Sequence, residues 1–214
     1  MNEAFFLSLR VLAYAVPLLL VLGGALGWLL SRRRFRGRDL LSTLLQLPII
    51  LPPSVLGFYL LYGMGNIPFF REHHILFAFP ATVIGGLTPA LPIMIQAARA
   101  AFSGVDRDLE DAARTLGVGE WRIFFRVTLP LSRRMLLTGL ALSSARVLGD
   151  FGVTLMIAGN MPGRTQTLPL YIYRQVESLN FGAAHIAAGI LVAVGIACLA
   201  AVRRMETNRH ERLV

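Results

Sequence analysis

Five stretches of this 214-residue chain run for about twenty residues or more with almost no charge, and nothing else in the sequence constrains the fold as tightly. A helix needs roughly 20 apolar residues to cross the hydrocarbon core of a bilayer. The stretches lie at about 11–30, 40–64, 75–98, 135–158 and 181–202. The first three contain no charged residue, and the second continues uncharged to Ile67. Arg146 and Asp150 interrupt the fourth, and only His185 interrupts the fifth. Charged residues make up 15% of the chain, against roughly 25% in soluble domains. The expectation is an all-α polytopic membrane protein with about five transmembrane helices, forming one transmembrane domain over 1–214.

The arginines set the orientation. The net charge is +9, the chain has no lysine, and sixteen of its 21 basic residues fall in three segments. These are the link after the first span (Arg32, Arg33, Arg34, Arg36, Arg38), the loop 99–134, and the tail after the fifth span (Arg203, Arg204, Arg209, Arg212). The intervening loops hold only Arg71, Arg164 and Arg174. Basic residues concentrate on the cytoplasmic side, so the N-terminus is expected outside and the C-terminus inside. This distribution also accounts for the high pI without nucleic-acid binding, because no basic groove with interleaved aromatics is present. The charge of the first span follows its apolar run, which is too long for a signal-peptide core, so the span is expected to be retained.

Prolines crowd the second and third spans: Pro48, Pro52 and Pro53, then Pro80, Pro89 and Pro92. Each interior proline removes a backbone hydrogen bond. Such backbone is tolerated where protein or a water-filled path covers it, and both a packing kink and a path-lining role fit. Arg146 and Asp150 sit four residues apart and can pair on one helix face. They are expected to form an intramembrane ion pair that is mainly structural, the alternative being a pair inside the bundle that supports a gate near Phe151 and Gly152. His73 and His74 lack the further ligands of a metal site and are expected in a solvated loop. His185 is expected to be packed and hydrogen-bonded, and Cys198 to be a small apolar residue.

The loop 99–134 has helical pattern. Leu109, Ala112, Ala113 and Leu116 recur at helical spacing. Asp106 is placed to cap the helix start, acidic residues favour its first turn, and Gly117 suits its end. Trp121, Phe124 and Phe125 then oppose Arg122 and Arg126, and Pro130 opens the next span. Such a helix can enter a groove on another protein or pad its own bundle, and spacing alone favours padding.

Asp111-Ala112-Ala113, three residues, Gly117, nine residues, then Val127-Thr128-Leu129-Pro130 resembles the EAA loop of ABC importer permeases, with Asp111 in place of Glu and Val127 in place of Ile. The resemblance implies a coupling helix over Asp111–Gly117, with Asp111, Ala112, Ala113, Arg114, Leu116 and Gly117 docking on an ATPase subunit. Leu47–Tyr59, which contains Pro52 and Pro53, and Gly149–Tyr173, which contains Gly149-Asp150-Phe151-Gly152-Val153-Thr154, look like the corresponding regions of molybdate permeases. The likeness covers most of the chain. It implies a permease subunit of a bacterial inner-membrane oxyanion importer working by alternating access, for molybdate, with tungstate and sulfate as alternatives. Its path or gate would involve Pro52, Pro53, Phe151, Gly152 and Thr154.

The implied partners are two ATP-binding subunits, a periplasmic oxyanion-binding protein, a second copy of this chain and the lipid bilayer. With no lysine the chain cannot carry the phosphate-binding Gly-x-x-x-x-Gly-Lys-Ser/Thr loop. ATP and Mg are therefore expected on the partner, with no cofactor or metal held here and no enzyme activity of its own. An intramembrane enzyme would need a nucleophile–base set or metal ligands; the Gly-x-Ser-x-Gly and His-Glu-x-x-His patterns are absent from the sequence. A membrane scaffold gives no reason for the loop pattern.

Overall fold

The computed structural model describes residues 1–33 and 35–207. Arg34, Arg209 and Arg212 lie outside the described residues, as do the side chains of Cys198, Arg203 and Arg204. The described chain is helical: α1 (Asn2–Leu18), α2 (Gly24–Arg32), α3 (Arg38–Ile50), α4 (Pro53–Asn66), α5 (Pro68–Glu72), α6 (Phe79–Ser103), α7 (Arg107–Thr115), α8 (Glu120–Ile123), α9 (Leu129–Leu148), α10 (Gly152–Ala158), α11 (Leu168–Glu177) and α12 (Phe181–Thr207). A π-helical turn, Leu19–Gly23, joins α1 to α2, and a second, Phe124–Thr128, joins α8 to α9. The first follows Pro17, whose missing N–H already removes a rung of the ladder.

Among the described residues two helical runs are long and apolar enough to cross a membrane, Asn2–Arg32 and Phe79–Ser103. Two more qualify only as bent pairs. The segment expected as one span at 40–64 turns through 115° between α3 and α4. Leu51 and Pro52 at the corner are extended, because the residue before a proline is pushed out of the helical region and proline has no N–H to continue the ladder. The segment expected at 135–158 bends by 58° between α9 and α10, at Gly149–Phe151. The fifth stretch lies within α12, apolar over Phe181–Ala197. The loop 99–134 is shorter than its sequence suggests: α6 runs on to Ser103, and Glu120–Leu148 is one helical run.

The core is organised around α6. Its Val83, Ala90, Met94, Ala98 and Phe102 pack with Val11, Ala15 and Leu19 of the first run and with Leu136 and Val147 of α9. Close approach depends on glycine. A β-carbon on Gly27 would fall 2.5 Å from the Ala98 Cβ and 2.8 Å from the Arg99 nitrogen, and one on Gly23 would fall 2.5 Å from the Met94 Cγ. Gly23 and Gly27, four residues apart, form the small-residue face by which membrane helices pack closely.

Candidate functional site

Helix α7 begins as the sequence predicts. The Asp106 carboxylate accepts a hydrogen bond from the Asp108 N–H at 3.0 Å, satisfying one of the free donors of a helix start. It stops at Thr115, with Gly117 left-handed at φ +75°. The helix spans Arg107–Thr115, starting just after the Asp106 cap, four residues before Asp111, and ending two residues before Gly117.

The polarity of α7 is turned inside out. Leu109 and Leu116 are 50% and 82% exposed, Asp111 and Ala112 are exposed, and Ala113 is half-buried. The one buried side chain is the charged Glu110, at 5%. The aromatic stretch divides in the same way. Trp121 (78% exposed) stacks on Phe125 at the surface, their planes 17° apart. Ile123 is buried, and Phe124 packs edge-on against Trp28 of α2. Arg114 pairs with both Asp111 and Glu120, donating from Nε to the Glu120 Oε1 at 2.6 Å and bracing α7 against α8. These bonds hold the Glu120 carboxyl below its usual range.

Glu110 was not among the residues singled out from the sequence. Its Oε1 accepts a hydrogen bond from Arg32 Nη2 at 2.6 Å and another from Thr128 Oγ1 at 2.6 Å. Arg32 closes α2, and Thr128 closes the π-turn that feeds α9. The available signal was a carboxylate flanking the apolar stripe of α7, three residues before Ala113, with an arginine at the end of the first span; spacing along the sequence does not reveal that the two meet.

The second group of candidates gathers where the two bent pairs meet. Asp150 is 3% exposed. Its Oδ2 accepts from the Thr154 N–H at 3.0 Å and the Thr154 hydroxyl at 2.8 Å, tying the break to the first turn of α10. Its Oδ1 accepts from Arg146 Nη1 at 3.3 Å, so the expected ion pair forms and is long. The Thr154 hydroxyl therefore serves Asp150 in this structure. Phe151 lies against Tyr173, ring centroids 5.0 Å apart. A β-carbon on Gly152 would sit 2.8 Å from Pro53 Cβ, which brings two predicted gate residues together. Beside them a cavity of about 150 Å³ is lined by Pro48, Pro53, Leu56, Pro89, Val153 and Arg146. Prolines of the second and third stretches thus face a space and not lipid alone.

His73 and His74 are exposed, and among the described residues no three His, Cys, Asp or Glu side chains come together. His185 makes the expected hydrogen bond, to the Phe181 carbonyl at 2.7 Å, but it is exposed in this chain and not packed, because it projects from an unshielded face of α12.

Residues 20–209 match the model of the binding-protein-dependent transport system inner membrane component family. The chain belongs to this family. It is an inner-membrane transport component and is similar to several permease subunits within the family. The molybdenum transport system permease protein ModB of Escherichia coli K12 is 42% identical over 183 residues, covering 82% of this chain and 80% of that protein. The putative molybdenum transport system permease protein YvgM of Bacillus subtilis is 40% identical, covering 81% and 80%. The sulfate transport system permease protein CysW of Synechococcus elongatus is 32% identical, covering 100% and 77%. The fold matches that of a chain of the MetNI methionine ABC transporter, with a TM-score of 0.73 at 15% identity over 96% of this chain and 95% of that one.

Proposed function

We propose that this family member is the path-forming permease subunit of an ATP-driven oxyanion importer whose cargo is molybdate. One observation carries the coupling part of the reading. Helix α7 presents leucine outward and buries its glutamate, the reverse of a helix that pads its own bundle. An exposed apolar stripe beside Trp121 and Phe125 suits a groove on a cytoplasmic ATPase subunit. The cargo rests on likeness to permeases named for molybdenum, with 40–42% identity, against 32% for a sulfate permease.

In this reading two copies of the chain, each with five spans, N-terminus out and C-terminus in, enclose the path. A periplasmic binding protein delivers the oxyanion, and two ATPase subunits hold ATP and Mg. Closure of the ATPases on ATP pushes α7. The bundle then rocks between inward-open and outward-open states by rigid-body movement. The elbow at Pro52 and Pro53 and the break at Phe151 and Gly152 are where that movement opens or closes the path. Weak contacts along the route favour release over retention.

The test is substrate-stimulated ATP hydrolysis in liposomes by the assembled complex, comparing molybdate, tungstate and sulfate on the loaded binding protein. Stimulation by molybdate, lost in Ala113→Arg with normal insertion, is the expected result. Stimulation only by sulfate or tungstate would reassign the cargo. A complex without a co-purifying ATPase would end the permease reading.

A further inference from the structure

We propose that Glu110 is a positioning residue for the transport cycle: it is the mechanical link through which displacement of α7 reaches the membrane-spanning helices. The inference rests on the permease reading above and adds to it a residue outside the docking surface.

Among the described residues, every side-chain hydrogen bond from α7 to another helical element of the bundle ends on Glu110, apart from the exposed brace between Arg114 and Glu120. A single oxygen, Oε1, receives both donors. Thr128 is buried with it, at 2% exposed, and the Arg32 side chain is largely covered, at 11%. Away from water such charge-assisted bonds are short and strong, and breaking one leaves an uncompensated charge. Glu110 therefore cannot move without taking its partners along or leaving them unpaired.

Each partner leads somewhere. Arg32 ends α2, which is keyed into α6 at Gly27 and, through the π-turn before it, at Gly23. Thr128 ends the π-turn at the foot of α9, and the other end of α9 is the break that holds Arg146 and Asp150. A π-turn within an otherwise regular helix is a frequent functional feature. One carboxylate thus joins the exposed helix to both sides of the core.

The link also has room for a second arrangement. Among the described residues Arg32 is held through Nη2 alone, and its buried Nε–H has no partner there. A two-pronged pairing with the carboxylate is available to it when α7 shifts. Discrete alternative pairings of this kind are what allow a buried contact to pass on a movement.

The experiment uses the whole complex in liposomes and reads two quantities separately: ATP hydrolysed, and molybdate taken up per ATP. Glu110→Gln keeps the shape and one acceptor oxygen and removes the charge. Thr128→Val removes one donor and leaves the ion pair. Arg32→Glu combined with Glu110→Arg reverses the pair. The expected result for Glu110→Gln is retained ATPase co-purification and hydrolysis with uptake per ATP lower by about threefold to tenfold, within the range that single substitutions along a connected network produce. Thr128→Val shows a smaller loss in the same direction, and the reversed pair recovers uptake relative to Glu110→Arg alone. A merely structural role would lower the amount of assembled complex and leave uptake per ATP unchanged. Wild-type uptake per ATP in Glu110→Gln overturns the proposal. If that variant fails to assemble, wild-type uptake per ATP in Thr128→Val overturns it instead. A wild-type complex that shows no stimulated hydrolysis brings down the permease reading first, and this inference with it.

Discussion

Gly152 in α10 lies against Pro53 at the head of α4 so closely that a β-carbon on the glycine would stand 2.8 Å from the proline Cβ. Gly57 completes the fit from the other side, where a β-carbon would meet Met156 Cβ at 2.8 Å and Val153 Cα at 3.3 Å. The two bent pairs interlock here, and neither the proline ring nor the backbone yields easily. Gly152→Val is expected to destabilise the protein by about 1–3 kcal/mol through overpacking, read as a lower thermal midpoint in detergent. Gly65→Ala, where nothing lies within 4 Å, is the comparison and is expected to be neutral or slightly stabilising.

Asp150 holds the break between α9 and α10 through Thr154 more firmly than through Arg146, at 2.8–3.0 Å against 3.3 Å. Asp150→Ala leaves the Thr154 N–H and the partly exposed Arg146 guanidinium without their partner and is expected to cost about 1–3 kcal/mol. Asp150→Asn keeps an acceptor for Thr154 and is expected to cost clearly less. Thermal unfolding of the two variants side by side checks the order. Equal losses would mean that the charge on Asp150, and not its hold on α10, is what matters.

Leu116 and Trp121 contribute little to this chain's own packing, since they are 82% and 78% exposed. Leu116→Asp and Trp121→Asp are expected to change stability by no more than about 0.5 kcal/mol. Both are expected to reduce recovery of the ATPase subunit in pull-down. Loss of stability without loss of recovery would show that the stripe packs on its own bundle after all.

The brace between Arg114 and Glu120 is a surface pair, and its pH dependence has a definite sign. The Glu120 carboxyl is lowered from its ordinary value of 4.5, first by its hydrogen bond to Arg114. Whatever stability the pair contributes is thus fully present above about 4.5 and is lost as pH falls through the lowered value. Exposed pairs of this kind are screened and weak. Amide protection in α7 and α8, measured relative to the intrinsic exchange rate at each pH, is expected to be flat from neutral pH down to that point and to fall below it. Arg114→Gln is expected to bring the Glu120 titration back toward its ordinary range, followed by carboxyl NMR.

Much of the site was visible in the sequence because its signals are local. Asp106 caps α7 and Gly117 closes it with a positive φ, as short-range rules for helix ends require. The pairing of Arg146 with Asp150 followed from a separation of four residues on one helix. What stayed hidden was non-local. Glu110 reaches Arg32 across 78 positions, and in the sequence it is one more acid in an acidic first turn. The apolar stripe of α7 was legible, but not its direction, because periodicity shows that a helix has two faces and not which one meets protein. The corner at Leu51–Pro52 read as a run of apolar residues long enough to span, since hydropathy counts polarity and ignores backbone angle.

The sequence by itself determined the medium and the parts: uncharged stretches long enough for a bilayer, arginines sorted between them, and a capped amphipathic helix in the loop with the most arginines. Those follow from composition and short-range spacing, which every conformation of the chain shares. Only the tertiary structure decided that α7 turns its leucines outward and its glutamate in, that two of the stretches bend by 115° and 58°, and that Pro53 and Gly152 meet. These depend on which surfaces are pressed together. A buried carboxylate is tolerable only where donors converge on it, and those of Glu110 come from distant parts of the chain; a glycine becomes necessary only where another backbone or ring has already taken the space.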